Sequence, residues 1–146
     1  MTTIAVSRSL RMMASDSSVT IGSARVPSTP KMWRLRDVIV GTAGNLSHCE
    51  AFVEWLGSGD GARPKGDYCA LCLYRDGRIS WWHPGHREKF IDDDYFAIGS
   101  GEAYALGAFE ALKHMGLPLD PRIAVECAVA REINSAHPIR YLRWKG

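Results

Sequence analysis

Residues 68–82, YCALCLYRDGRISWW, leave little freedom: two apolar runs rich in strand-forming residues flank an Asp76-Gly77 turn. Asp-Gly supplies the positive φ angles that a tight hairpin turn demands, so the segment predicts a β-hairpin. A lone hairpin is at best marginally stable in water, and this one needs more strands and an apolar layer against it. The chain must therefore build a sheet around these residues.

Strand signals occur on both sides. TTIAVSRSLRMMASDSSVTIG alternates short apolar runs with small polar residues, predicting two or three successive antiparallel strands with turns near Ser9 to Arg11 and Ser15 to Ser18. After the Ser/Thr/Pro-containing stretch SARVPSTP, Met32 to Leu35 and Asp37 to Val40 predict a strand pair that stops at Gly41. YFAIGSG reads as a strand entering a glycine turn, and PIRYLRW as a final strand. GSGDGARPKGD and HPGHREKFIDDD read as loops.

Three segments instead show helical spacing. Leu46, Cys49, Phe52, Val53 and Leu56 recur on one face of a helix over Asn45 to Leu56, ended by Gly57. Ala105, Ala108, Phe109 and Leu112 mark a second from Glu102 to Met115, with Gly116 suited to its C-terminal cap. Asp120 as N-cap and Pro121 at the first helical position open a third, reaching about Asn134. Strands, helix, strands, two helices and a last strand describe a mixed architecture with sheets sandwiched between helices, and 146 residues suit a single domain over 1–146.

Composition excludes more than it selects. Eighteen basic against sixteen acidic residues argue for neither a nucleic-acid partner nor a membrane surface. The start lacks the basic and apolar regions of a signal peptide, and no apolar run is long enough to span a bilayer, which predicts a cytoplasmic protein. Cys49, Cys69, Cys72 and Cys127 then read as reduced core thiols; the Cys69/Cys72 pair lies in a strand without a second such pair. His83 and His86, in HPGH, do not make a complete ligand set, so no metal is expected. Trp81 and Trp82 should put one ring on each face of their strand.

Taken together and in order, TTIAVS, MASDSSVTIG, KMWRL, VIVGTAGN, YFAIGSGEAYALGAFEAL and LDPRIAVECAVARE resemble the proteasome β-subunit and bacterial HslV family of N-terminal nucleophile hydrolases over nearly the whole chain. The resemblance implies an α+β fold, the Ntn-hydrolase αββα sandwich of two antiparallel sheets. Only Gly57 to Asp67 separates the first helix from the hairpin, where the family usually carries more helix, so one helical layer should be reduced.

The same resemblance implies a threonine peptidase without cofactor. Thr2, exposed by removal of Met1, would be the nucleophile, and its free α-amine, with a reference pKa of about 7.7–8.0, the base. Lys31 matches the active-site lysine, Asp16 the acid that holds it, and Gly41 the glycine whose N–H stabilises the oxyanion. Ser100 matches the serine near the amine; Glu132 and Ser135 match an acid-and-serine pair, with glutamate where the family more often has aspartate. Val19, Ile39 and Ala43 match pocket-lining positions, and Thr20 the position whose backbone pairs with an extended peptide.

Partners implied are a peptide or unfolded protein substrate, a homo-oligomeric ring and an ATP-dependent unfoldase. Each residue alone also has a structural reading: Thr2 as a strand former, Lys31 as a surface charge, Asp16 as a turn residue, Gly41 and Gly44 as turn glycines, Ser100 as an N-cap, Glu132 as a last-turn helical residue. At the level of the whole chain, two other readings keep the fold: a non-catalytic assembly or interaction protein, and an Ntn amidohydrolase acting on a small amide.

Overall fold

The computed structural model describes residues 2–17, 19–21, 24–26, 31–132 and 137–145, with 19–21 and 24–26 described as backbone. In chain order its elements are β1 (Thr3–Ser7), β2 (Met12–Ser15), β3 (Val19–Ile21), β4 (Ala24–Val26), β5 (Met32–Arg34), β6 (Val38–Gly44), α1 (Leu46–Ser58), β7 (Tyr68–Tyr74), β8 (Ile79–Trp82), β9 (Lys89–Ile91), β10 (Tyr95–Gly99), α2 (Glu102–His114), α3 (Pro121–Arg131) and β11 (Arg140–Arg143).

Two antiparallel sheets form the centre. One is four-stranded, ordered β10-β1-β2-β11; the other is five-stranded, ordered β5-β6-β7-β8-β9; β3 and β4 pair separately as a ribbon. The predicted hairpin is β7–β8, with Leu73 opposite Ile79 and Ala70 opposite Trp82.

Period-two alternation divides the apolar residues among three packed layers. Ile4, Val6, Met13, Ile39, Leu71 and Leu73 fill the space between the sheets. Val40, Phe52, Tyr68 and Trp82 pack α1 onto the outer face of the five-stranded sheet. Ala5, Ala14, Ala97, Phe109 and Val125 join α2 and α3 to the outer face of the four-stranded sheet. The three alanines lie in one row across β10, β1 and β2, and such small side chains let the helices approach closely. The result is an αββα sandwich in which α1 alone covers the five-stranded sheet among the described residues, so the expected reduction of one helical layer is present.

Several boundaries differ from the sequence expectation. The strand expected to stop at Gly41 continues to Gly44, because Gly41 is paired on both sides, opposite Met32 and Leu71. A Cβ added there would lie 2.7 Å from Ile4 Cγ2 and 2.7 Å from Met13 Sδ, so glycine at this point lets the two sheets come together rather than turning the chain. The polar loop before residue 95 contains a strand, β9, and the Ser/Thr/Pro stretch contains β4.

Helix α1 runs two residues past Leu56 and ends at the left-handed Gly59 rather than at Gly57. Helix α3 ends at Arg131; Asn134 lies outside the described residues. Trp82 faces α1 and Trp81 the inter-sheet core, one on each face as the alternation predicts. Cys127 is exposed on α3 and is not a core thiol, whereas Cys49 and Cys72 are buried.

Candidate active site

Strand β1 is central in its sheet, so the segment at its start is fixed from both sides. Thr3 lies opposite Gly99 of β10, and Asp16, just past β2, returns its N–H to the Thr3 carbonyl at 3.2 Å. The Asp16 carboxylate is fully buried. Its Oδ1 accepts from the Thr3 N–H at 2.9 Å and from Lys31 Nζ at 3.0 Å.

One carboxylate oxygen thus ties the backbone following Thr2 to a buried lysine. Lys31 is only 5% exposed, and its carbonyl accepts from the Thr42 N–H at 2.9 Å, which anchors the lysine to β6. Burial pushes the Lys31 ammonium below its ordinary pKa, and the charge and hydrogen bond of Asp16 oppose that shift.

Glycines allow the third wall to close. A Cβ on Gly99, whose φ is +100°, would lie 1.8 Å from the Thr2 carbonyl oxygen, and one on Gly101 would lie 2.2 Å from Thr3 Oγ1. Only residues without side chains permit this approach. Ser100 between them is exposed, at the turn that folds over the start of β1. Thr2 itself is half-buried, one residue before the Thr3 N–H that Asp16 holds.

The remaining candidates are placed differently. Because the Thr42 N–H points to β5, alternation turns the Gly41 N–H toward Leu71 of β7 and the Gly44 N–H back to the side of Lys31. Gly41 therefore sits inside the ladder, and Gly44, exposed at the strand end, is the glycine whose amide faces the Lys31 side. Ile39 is fully buried between the sheets and packs there, whereas Ala43 is half-buried near the strand end.

Glu132 caps α3, its N–H donating to the Ala128 carbonyl at 2.7 Å. Val19 and Thr20 lie on β3 opposite Val26 and Arg25. Met1 and Ser135 lie outside the described residues. Beside Lys31 a cavity of about 440 Å³ opens between Ser15, Met32 and the β11 residues Arg140 and Leu142, with Ile139 and Tyr141 completing it. Sequence reasoning did not separate Gly44 from Gly41, nor did it anticipate the β11 residues beside Lys31. Two glycines three residues apart look alike until strand pairing separates them.

No family model matches the chain, and no curated protein matches it by sequence. Solved structures do. BPH of Thiobacillus denitrificans in complex with epoxomicin superposes with a TM-score of 0.77 at 18% identity, covering 99% of this chain and 100% of that one. The fold is HslV-like. HslV from Trypanosoma brucei matches with a TM-score of 0.69 at 20% identity over 97% of this chain and 99% of its own, and a further structure of Thiobacillus denitrificans BPH gives 0.73 at 16% identity. The αββα sandwich expected from the motifs is therefore the HslV and proteasome-like fold, reached here with very different side chains.

Proposed function

We propose that the protein is a proteasome- and HslV-like threonine peptidase that hydrolyses peptide bonds with Thr2 as nucleophile once Met1 has been removed. The observation that carries this reading is the buried Asp16 oxygen shared by the Thr3 amide and the Lys31 ammonium, adjoining Thr2. A buried ion pair is a weak source of stability, because desolvating both charges costs about as much as their attraction returns. Its burial against the Thr3 N–H, one residue from Thr2, is explained if the charge acts on the Thr2 hydroxyl.

In this mechanism the Thr2 α-amine takes the proton from Oγ1 as Oγ1 bonds to the scissile carbonyl carbon. The Lys31 ammonium favours the developing alkoxide and, by like-charge repulsion, keeps the amine unprotonated. Negative charge that collects on the carbonyl oxygen is met by a backbone N–H at the end of β6, and Gly44 serves that role better than Gly41. Collapse breaks the C–N bond, the amine's proton leaves with the departing peptide amine, and an ester on Thr2 remains. Water, deprotonated by the same amine, then cleaves the ester.

Substrate would add as an extended strand beside β3, with the Thr20 backbone pairing to it and Val19 and Ala43 near its side chains. Ser100 would hydrogen-bond the amine, supported by Glu132 at the end of α3 and by Ser135. We further place the protein in the cytoplasm as a homo-oligomeric ring supplied with unfolded protein by an ATP-dependent unfoldase; no helix among the described residues is long and apolar enough to cross a membrane.

Intact mass tests the reading directly. A related fold is known in complex with epoxomicin. The purified protein should lack the mass of Met1 and gain one epoxomicin, and Thr2→Ala should gain none. Retention of Met1 in every molecule, or labelling that survives Thr2→Ala, overturns the proposal.

A further inference from the structure

Gly44 ends β6, and a circuit of hydrogen bonds ties the chain there to the segment entering β7. The Asn45 N–H donates to the Asp67 carbonyl at 2.8 Å. The Asp67 N–H donates in return to Nδ1 of half-buried His48, in the first turn of α1, at 2.9 Å. Asn45, the N-cap of α1, closes the circuit: its Oδ1 accepts from the His48 N–H at 3.2 Å and its carbonyl from the Cys49 N–H at 2.9 Å.

Two glycines make this closeness possible. A Cβ on Gly44, whose φ is +128°, would lie 2.5 Å from the Asp67 carbonyl oxygen and 2.8 Å from the Tyr68 Cα. One on Gly66 would lie 2.7 Å from both Cγ and Nδ1 of His48. The imidazole therefore rests against the Gly66 backbone, and the Asp67 backbone against Gly44.

Helix capping explains only part of the circuit. The first N–H groups of α1 need acceptors, and the Asn45 side chain supplies one. The His48 ring serves the chain outside the helix, and a neutral imidazole accepts at one nitrogen only, so the bond to Asp67 assigns that role to Nδ1. What the bond steadies is the end of β6. Asp67, held by His48, takes the Asn45 N–H on the β7 side, and successive N–H groups of a strand alternate. The Gly44 N–H is thereby turned to the other side, where Lys31 accepts from the Thr42 N–H two residues earlier.

We propose that His48 is a positioning residue of the peptidase: through the Asp67 N–H it fixes the backbone at Gly44, so that the Gly44 amide points at the oxygen that gains negative charge. It acts through Asp67 and takes no proton in the reaction. Its part in catalysis rests on the peptidase reading above; its hold on Gly44 does not.

The test sets His48→Leu, which has no acceptor, beside His48→Asn, whose amide oxygen is bonded to Cγ as Nδ1 is and can accept the same N–H. The probe is epoxomicin, an epoxyketone whose carbonyl carbon the Thr2 hydroxyl would attack, and intact mass follows the labelling rate at saturation and the concentration that gives half of it. His48→Leu should slow labelling at saturation about tenfold, part of the roughly 10²–10³ that one oxyanion donor supplies, and leave the half-saturating concentration within about twofold. His48→Asn should recover most of the rate. Gly66→Ala, whose added methyl displaces the ring from the other side, should slow labelling as His48→Leu does.

Amide resonances read the circuit without any activity. In His48→Leu the Asp67 amide should exchange faster with solvent and the Gly44 resonance should move, and in His48→Asn both should return toward their original values. Labelling at full rate in His48→Leu, a slow rate that His48→Asn does not recover, or a change confined to the half-saturating concentration overturns the proposal. An unsubstituted protein that epoxomicin does not label removes the peptidase reading and leaves the hold of His48 on Gly44 to the resonances, where an unmoved Gly44 amide refutes it.

Discussion

At the scale of single residues, the pairing of Asp16 with Lys31 decides most. Asp16→Ala strands a buried ammonium and removes the acceptor of the Thr3 N–H, and loss of one member of such a pair costs about 3–5 kcal/mol. Asp16→Asn with Lys31→Met removes both charges together, retains an amide oxygen that can accept from Thr3, and should recover most of that stability. Peptidase activity, if Thr2 is the nucleophile, should not return with it. Urea unfolding of the single and double variants, set beside epoxomicin labelling, separates the two roles. A double variant as unstable as Asp16→Ala would show that the residues act independently rather than as a pair.

Elements show why parts of the structure were legible in the sequence and others were not. The Asp76-Gly77 hairpin, the Asn45 and Asp120 helix starts and the apolar faces of α1 and α2 rest on local rules, and each is where those rules place it. Gly41 and Gly44 differ by which neighbour each amide meets, a fact of strand pairing that one segment's sequence does not carry. Strand β9 escaped for a similar reason: Lys89, Phe90 and Ile91 become a strand only because β8 offers an edge. Asp16 and Lys31 look like turn and surface residues one at a time, and only their joint order in the chain pointed to the buried pair they form.

Helix α1 gives the element-scale prediction. It alone covers its face of the five-stranded sheet among the described residues, and fully buried Phe52 touches Trp55, Tyr68 and Trp82, with ring centres 4.8–5.7 Å away. Phe52→Ala should cost about 3–5 kcal/mol, since no second helix can settle into the cavity it leaves. Calorimetry would read this as a lower Tm with the four-stranded sheet and its helices melting in the same transition; a loss below about 1 kcal/mol would mean that the layer collapses to fill the space.

Across the whole molecule, burial of ionisable groups fixes the response to alkali. Burial pushes the Cys72 thiol from 9.0 up to about 12, and burial also raises Cys49 and Cys69. The Tyr74 phenol moves the same way, through burial and its hydrogen bond to the Glu88 carboxylate at 2.6 Å. In each case the unfolded chain releases its proton first, so stability is intact below the unfolded value and falls as pH rises above it.

Lys31 works in the opposite sense: its folded pKa is lowered, so between that value and 10.5 the unfolded chain holds the extra proton and stability rises with pH. Three thiols and a phenol outweigh one ammonium, and above 10.5 Lys31 adds nothing further. Denaturant midpoints measured under reducing conditions should therefore fall above about pH 9, and more steeply once Lys31 is neutral in both states. Cys72→Ala should start less stable, because it opens a small void, yet flatten the decline by about 1.4 kcal/mol per pH unit through the interval in which the folded thiol keeps its proton. An identical slope in the two proteins would assign the alkaline loss to other groups.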